Sequence, residues 1–331
     1  MSEHHYDVVG IGNAIVDIIA RCDDTFLTQH DAPKGHMRLV DAETISSLYD
    51  AIGPAVEISG GSAANTIAGV ASLGGKAAYI GKVADDEFGR IFAHDIKSTG
   101  VDYRTQPANG GAPTARSIIL VTPDGERTMN TFLGISPELG AKDLDHDLIT
   151  AGKILYLEGY LFDSDAAKDC FRQAAQIAKQ AGRLVSMTLS DGFCVDRHRD
   201  AFLEFIRSDV DIVFANESEV TSLYEVDNFD IAAEKISRDV KLAALTRSEK
   251  GSIIISADET ATIPAYPVKK LVDTTGAGDL YAAGFLFGYA RDLDIGICGR
   301  LGCLAASEII SHIGARPEMS LLELAKSKSL L

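Results

Sequence analysis

The sequence lacks the features that indicate disulfides, structural zinc or a membrane anchor. Its five cysteines are scattered, and none forms a Cys-x-x-Cys pair, which argues against a disulfide framework or a zinc site. No apolar run reaches about 18 residues, the length needed to span a bilayer. The opening MSEHHYDVVGIG has no basic leader before a long apolar core. These absences predict a soluble cytoplasmic protein.

Positive charge is also scarce. The chain has 31 lysines and arginines against 48 aspartates and glutamates, a net charge of −17. This balance argues against nucleic acid or an anionic membrane surface as the main partner. A phosphorylated small molecule remains compatible, because backbone amides and one arginine can outweigh the overall field locally.

Two common nucleotide-binding signatures are missing as well. There is no Gly-x-x-x-x-Gly-Lys-Ser/Thr loop, and the protein-kinase motifs are absent. The start VVGIGNAIVDI offers Gly10 and Gly12, but Ile15 stands where a dinucleotide fingerprint has its third glycine. A dinucleotide-binding loop is therefore the less favoured interpretation of this segment.

The chain does contain short apolar runs that alternate with helical patterns. Six runs read as strands: YDVVGIG (6–12), KAAYIGKV (76–83), KILYLEG (153–159), RLVSMTL (183–189), DIVFAN (211–216) and KLAALT (241–246). The helical patterns between them often close on glycine, a usual helix stop. With 331 residues, 46% of them hydrophobic, this order predicts an α/β fold whose three-layer core has a mostly parallel sheet.

Two segments interrupt the alternation and predict a second, smaller sheet. Residues 15–59 contain two extended patterns, and residues 113–133 read as two strands around an Asp124-Gly125 turn. No helical pattern covers these strands, so we expect them to meet as one β lid over the main sheet. The predicted core comprises 1–14, 42–54, 60–112 and 134–331, and the predicted lid comprises 15–41, 55–59 and 113–133.

The loop in LVDTTGAGDLYAAGFLFGYA is the most informative segment. Gly276, Ala277 and Gly278 have small side chains and precede a helix with Asp279 in its first turn. A turn with a helix cap would explain them, but bare amides at a helix N-terminus also attract anions. They could hold the charge that develops on a transferring phosphoryl group. Asp279 could then accept the proton of an attacking hydroxyl, with a pKa that the helix N-terminus should lower.

Three polar residues suit a sugar or other polyol. Asn65 follows Gly60-Gly61, while Asn13 and Asp17 follow the first strand, at the edge where ligands bind in open α/β sheets. An amide can donate and accept at once, and a carboxylate can bind both hydroxyls of a cis-diol. Each residue could instead serve a turn, but together they favour a binding site.

Two further positions carry open alternatives. Asn216 and Glu219 have the spacing of a helix capping box, and they could equally anchor magnesium or water near nucleotide phosphates. Arg127 could be an ordinary hairpin charge. It could also swing over the site and neutralise the transferring phosphate.

The segments SGGSAAN, NESE and DTTGAGD occur in the order that characterises the ribokinase family of carbohydrate and nucleoside kinases, which this chain resembles from about Tyr6 to Pro317. The opening GIGNAIVDI, followed by KGHMRLVD, looks most like the adenosine kinase branch. The resemblance implies an α/β core with a β lid, ATP and Mg²⁺ as cofactors, with K⁺ near Asp273 as an option, and a monomer or homodimer.

The resemblance also implies roles for individual residues. Asp279 would be the base, residues 276–278 the anion hole, and Arg127 a lid arginine. The substrate would contact Asn13, Asp17, Met37, Leu39, Gly61, Ser62, Asn65, Leu133 and Tyr160. The nucleotide would contact Asn216, Thr246, Gly251, Gly276 and Gly278, and Glu219 would reach Mg²⁺ through water.

The expected reaction is the ATP-dependent phosphorylation of a nucleoside 5′-hydroxyl, with adenosine converted to AMP as in purine salvage. A sugar kinase of the ribokinase or fructokinase type is the alternative enzyme. A non-catalytic nucleoside-binding protein is the alternative from another class, and the intact Asp279 argues against it.

Overall fold

The computed structural model describes residues 5–331, which form two β-sheets and their covering helices. The strands are β1 (Tyr6–Ile11), β2 (Ile15–Arg21), β3 (Met37–Leu39), β4 (Ala55–Gly60), β5 (Ala77–Ile80), β6 (Asp102–Tyr103), β7 (Ala115–Val121), β8 (Arg127–Phe132), β9 (Gly152–Glu158), β10 (Leu184–Thr188), β11 (Ile212–Asn216), β12 (Leu242–Thr246), β13 (Ser252–Ser256) and β14 (Thr260–Ile263). The helices are α1 (Asp24–Gln29), α2 (Ala42–Ala51), α3 (Ser62–Ser72), α4 (Glu87–Ser98), α5 (His146–Ala151), α6 (Asp165–Gln180), α7 (Gly192–Asp209), α8 (Glu217–Tyr224), α9 (Phe229–Asp239), α10 (Ala277–Tyr289), α11 (Ile295–Ile309) and α12 (Leu321–Ser327). Residues 1–4, with which the first predicted core segment begins, lie outside the described part.

The larger sheet has nine strands in the order β14-β13-β12-β11-β10-β9-β1-β5-β6. Neighbours from β6 to β12 are parallel, and β13 and β14 continue antiparallel. All six predicted core strands are present, as β1, β5 and β9 to β12. The predicted fold class is confirmed. Strands that alternate with amphipathic helices form a parallel sheet, and the helices cover and bury both of its faces.

The core has one apolar layer on each side of this sheet. Successive residues of a strand face opposite sides, so Val8 of β1 joins the layer with α3, α10 and α11, while Val9 joins the layer with α6 to α9. Both side chains are fully buried. The first turns of α3 and α10 therefore lie on the same side of the sheet.

The smaller sheet has five strands in the order β3-β8-β7-β2-β4. Its far face is covered: α2 packs on β7 and β8, and α4 packs on β2 and β4. The expectation of an uncovered sheet was wrong. Helix α2, which the prediction assigned to the core, packs on this sheet, and its Ile45 and Leu48 share one apolar cluster with the core. The buried far face carries Val16, Ile18 and Ile118.

The register of the smaller sheet shows which residues face the core. Asp17 is paired with Ser117 and Ile58, Ser117 with Thr131, and Thr131 with Leu39. Directly paired residues share a face of a sheet. The near face of the small sheet, defined by this row, therefore presents a carboxylate and an exposed leucine side by side.

The chain passes from β4 into α3 through Gly60 and Gly61. Gly61 has φ +99°, and a Cβ atom there would lie 2.1 Å from the carbonyl oxygen of Asn13. Only glycine tolerates that combination of positive φ and close approach. We call residues 60–61 the glycine junction.

None of the helices among residues 5–331 combines the length and the apolar character that a membrane span needs.

Candidate active site

Asp279 lies in the first turn of α10, where that helix meets the first turn of α3. Ser62 Oγ donates a hydrogen bond of 2.6 Å to its Oδ1, and Asn65 Nδ2 donates one of 3.1 Å to its Oδ2. Two oxygens held by two side chains of one helix give the carboxylate a defined orientation. The residues that the sequence predicted as separate constellations are thus brought into direct contact.

Burial raises the pKa of Asp279 above its ordinary value, against the opposing hydrogen bonds from Ser62 and Asn65 and the charge of Arg316. The expectation of a lowered pKa was wrong, because the loss of hydration disfavours the charged form more than these hydrogen bonds and Arg316 favour it. A carboxylate with a raised pKa is a better proton acceptor than the sequence suggested.

The loop before α10 presents three main-chain N–H groups. Those of Gly276, Gly278 and Asp279 donate to no acceptor among the described residues, whereas Ala277 N donates to the carbonyl of Thr274 at 3.2 Å. The amide of Ala277, which the sequence analysis placed in the anion hole, is thus engaged in this structure, whereas the neighbouring amide of Asp279 is free. A Cβ at Gly278 would meet nothing within 4 Å, so open space lies in front of the helix tip.

Asp17 is nearly buried, yet its carboxylate makes no hydrogen bond to any residue from 5 to 331. Burial is the main cause that raises its pKa to about 6. The backbone of Gly60 comes so close that a Cβ there would lie 2.3 Å from Oδ2 of Asp17. Asn65 Oδ1 is likewise buried without a partner in the described chain. Two unsatisfied acceptors beside the base suit the hydroxyls of a ligand.

Asn13 has protein partners at both ends of its amide. Its Nδ2 donates to Glu158 Oε1 at 2.6 Å, and its Oδ1 accepts from Ser136 Oγ at 2.9 Å. The main-chain oxygen of Asn13 accepts from Tyr79 at 2.8 Å. Asn13 therefore lies at the site, but its amide supports neighbouring residues in this state.

Glu158 is a site residue that the sequence analysis missed. It ends β9, is buried, and also accepts from the amide of Ala63 at 2.8 Å, in the first turn of α3. Burial raises its pKa to about 7, against these hydrogen bonds. The available signal was an acidic residue closing an apolar strand in KILYLEG. Tyr160 follows two positions later, half-buried, with its N–H bonded to Ser190 Oγ at 3.1 Å.

Arg127 joins the small sheet to the loop before α10 through a contact with Asp273. Its Nε and Nη2 are buried and have no partner among the described residues. Asp273 also accepts from Thr275 N at 3.0 Å and from Gly314 N at 3.1 Å. Both oxygens of Asp273 thus have protein donors in this arrangement, and a potassium ion beside it stays a prediction.

Asn216 and Glu219 form a complete capping box at the start of α8. Asn216 Oδ1 accepts from Glu219 N at 2.9 Å, and the Glu219 oxygens accept from Asn216 N at 2.9 Å and Nδ2 at 2.6 Å. Burial raises the pKa of Glu219 to about 7. The structural alternative is therefore realised, and a direct metal bond would have to break the cap.

A cavity of about 520 Å³ opens beside this cap. Asn216 and Thr246 line it together with Ser248 and Arg247, whose guanidinium lies 3.9 Å from the ring centroid of Phe229. Gly251 ends the following turn with φ +83°, and a Cβ there would lie 2.0 Å from Ile263 O. The cavity has the size of a small-molecule site and is lined mostly by polar groups.

The near face of the small sheet also carries apolar side chains. Met37 and Leu39 of β3 are 53% and 59% exposed, and Val56 is 61% exposed. Met37 continues a cross-strand row through Met129 to Val56. Leu133, just after β8, is half-buried. Exposed apolar residues that share a face with an unpaired carboxylate suit a ligand with one polar and one apolar part.

Comparison with known proteins supports a kinase. The family model for pfkB family carbohydrate kinases matches residues 52–321. A probable fructokinase-5 of Arabidopsis thaliana is 31% identical over 240 residues, which cover 70% of this chain and 74% of that protein. The structure of adenosine kinase from Sinorhizobium meliloti is 55% identical with a TM-score of 0.90, covering 98% and 99% of the two chains. That of a probable sugar kinase from Rhizobium etli CFN 42 is 52% identical with a TM-score of 0.92, covering 99% and 100%.

Proposed function

The chain belongs to the pfkB family of carbohydrate kinases, and from that premise we propose that it transfers the terminal phosphate of ATP to the 5′-hydroxyl of a nucleoside, with adenosine as the preferred acceptor. One observation carries the choice of a nucleoside. The unpaired carboxylate of Asp17 lies on the same sheet face as the exposed apolar residues Met37 and Leu39. A ribose diol beside a flat, weakly polar base matches that pairing.

Asp279 is the proposed base. Its oxygens are held by Ser62 and Asn65, and its raised pKa suits acceptance of the proton that leaves the attacking hydroxyl. The free amides of Gly276, Gly278 and Asp279 would meet the charge that develops on the transferred phosphoryl group. In phosphoryl transfer, positioning and charge stabilisation contribute most of the rate.

The cavity beside α8 is the proposed nucleotide site. Asn216, Thr246 and Gly251 would contact ATP, and the turn around Gly251 leaves no room for a side chain. Bound Mg²⁺ would supply neutralisation of phosphate charge. Glu219 would hold it through water, because its own oxygens are engaged in the cap.

Arg127 and the small sheet provide the proposed lid. The two unpartnered nitrogens of Arg127 give it spare donors for a phosphate oxygen. Closure of the near face over the acceptor would exclude water and so suppress hydrolysis of ATP. Leu133 and Tyr160 would complete the wall around the acceptor.

A sugar kinase is the second candidate, because a fructokinase is among the relatives at 31% identity. A free hexose offers hydroxyls all round, so it would leave Met37 and Leu39 without an apolar partner. A non-catalytic nucleoside-binding protein is less well supported, since it has no need of a half-buried carboxylate beside free amides.

A panel of acceptors decides between these candidates. Adenosine, inosine, guanosine, ribose and fructose are incubated with the protein, ATP and Mg²⁺, and ADP formation is followed. The proposal expects kcat/KM for adenosine to exceed that for either free sugar by at least about 100-fold, the difference that apolar burial of a base can supply. Turnover of fructose without turnover of adenosine would refute the nucleoside assignment.

A further inference from the structure

Arg316, in the segment after α11, is a half-buried residue that contacts main-chain groups on both sides of the glycine junction. Its Nε and Nη2 donate to Ser59 O at 3.0 and 2.8 Å, and Nη2 also donates to Ser59 Oγ at 2.9 Å. Its Nη1 donates to Ala64 O at 2.6 Å. Ser59 belongs to β4 and Ala64 to α3, so one guanidinium spans the link between the small sheet and the core.

A second set of hydrogen bonds joins the strand before the junction to α4. Ser59 is fully buried, and its N–H and Oγ donate to Asp95 Oδ2 of α4 at 2.7 and 2.6 Å. Without these contacts, Gly60 and Gly61 would be the most flexible point of the segment, because glycine restricts the backbone least. The clamped segment continues directly into Ser62 and Asn65, the two residues that hold the base.

The positive charge of Arg316 faces several titratable groups. These are Asp95 on α4, Asp17 on β2, Tyr79 on β5 and Asp279 on α10. For Asp17 it is the strongest of the charges that lower the pKa, ahead of Arg127. A guanidinium close to two partly desolvated carboxylates stabilises their ionised forms.

We propose that Arg316 is a positioning residue for phosphoryl transfer: its guanidinium clamps the glycine junction so that Ser62 and Asn65 aim Asp279, and its charge compensates the carboxylates of Asp17 and Asp279. This inference rests on the proposed kinase reaction. It assigns to the residue both a geometric and an electrostatic task, which can be separated by substitution.

The test compares Arg316→Ala and Arg316→Lys with a matched control, Arg38→Ala. Arg38 lies on the covered face of the small sheet, where it donates to the carbonyls of His30 and Asp31 and to Asn130. Arg38→Ala therefore removes a similar set of hydrogen bonds, but from a residue that does not face the site. Each variant is assayed for kcat/KM from pH 5 to 9 with the best acceptor of the panel.

Arg316→Ala is expected to lower kcat/KM by about 100-fold, the cost of a small misplacement of reacting groups. Its acidic limb should move to higher pH by about one unit, because the carboxylates lose a compensating charge. Arg316→Lys should keep the wild-type limb but lose more than about tenfold in kcat, since an ammonium cannot span both sides of the junction. Millimolar guanidinium should partly restore Arg316→Ala and leave Arg38→Ala unchanged.

Amide hydrogen exchange tests the clamp without relying on turnover. Residues 59–65 should exchange faster in Arg316→Ala, and not in Arg38→Ala. If residues 59–65 exchange as in the wild type, or if the acidic limb stays in place and activity follows only the folded fraction, Arg316 has no positioning role. If Arg316→Ala fails to fold, Arg316→Lys decides by the same measurements, and wild-type kcat in that variant overturns the proposal.

If the wild-type protein turns over none of the acceptors, the proposed function is wrong, but the hydrogen-exchange result for Arg316 stays valid.

Discussion

The hydroxyl of Ser62 donates a 2.6 Å hydrogen bond to Oδ1 of Asp279, which joins the first turn of α3 to the first turn of α10. Because α3 begins directly after the glycine junction, the orientation of the proposed base depends on the strand that leads into that junction. Movement of the small sheet and alignment of Asp279 are therefore mechanically connected.

Replacement of Asp279 by Asn should lower kcat by about 10³-fold while acceptor binding is largely kept, because the amide cannot take a proton. The same variant should be more stable at pH 8. The folded-state pKa of Asp279 is raised, so its ionisation penalises the folded state as pH rises through the window above the unfolded pKa. Steady-state kinetics and thermal unfolding at pH 4 and 8 check both effects.

The matched control for that variant is Asp165→Asn, which alters an exposed carboxylate in the first turn of α6. It should leave kcat unchanged, and it should lower rather than raise stability at pH 8, because the hydrogen bond from Lys168 lowers the pKa of Asp165. Unaltered turnover in Asp279→Asn would be incompatible with the proposed base.

Asp17 should make acceptor affinity depend on pH. Its pKa is raised to about 6, so below that pH the carboxylate becomes protonated and loses acceptor capacity for a diol. KM for adenosine should rise as the pH falls from 7 to 5, whereas protonation of Asp279 should act on kcat. Asp17→Asn should have a high KM throughout and no such dependence. A flat wild-type KM over this range would argue against Asp17 as the diol acceptor.

The two glycines of the anion loop should respond differently to alanine. Gly276 has φ +77°, and a Cβ there would lie 3.0 Å from Ala315, so Gly276→Ala should lose stability by about 1–2 kcal/mol as well as activity. Gly278 is helical and its Cβ would meet open space, so Gly278→Ala should fold at least as stably. Its methyl group should nevertheless raise KM for ATP. Thermal unfolding and ATP titrations separate the two outcomes, and equal behaviour of the pair would contradict the arrangement.

The apolar near face should contribute to base binding. Met37→Ser and Leu39→Ser should each raise KM for adenosine by about tenfold, with little effect on kcat or stability, since both side chains are exposed in the unliganded protein. Ile231→Ser on α9, 47% exposed and far along the chain from the lid, is the control and should leave KM unchanged. Equal effects of all three substitutions would remove the lid from acceptor recognition.

The large sheet was predictable because its signals are local. Apolar strands such as KILYLEG and KLAALT alternate with helices that end on glycine, and their parallel arrangement follows from how such elements cover one another. The site residues in SGGSAAN and DTTGAGD were also recognisable, since their small residues and polar side chains have a direct chemical meaning. The direction of the pKa shift of Asp279 could not be predicted from the local sequence, because desolvation depends on everything packed around the group.

The covering of the small sheet and the role of Asn13 could not be read from sequence. Helices α2 and α4 pack on that sheet from segments assigned elsewhere, and the partners of Asn13 lie more than 100 positions away, at Ser136 and Glu158. Arg316 acts across more than 250 positions on Ser59 and Ala64. Long-range contacts of this kind leave no periodicity in the sequence.

The sequence by itself determined the alternating α/β architecture, the glycine-rich loop at the start of α10 and the identity of the carboxylate beside it, because these depend on neighbouring residues and on backbone geometry. Only the tertiary structure decided which amides are free, which side chains hold Asp279, and how far burial raises the pKa of its carboxyl. Those properties arise where distant segments meet and displace water, and no stretch of the chain encodes them alone.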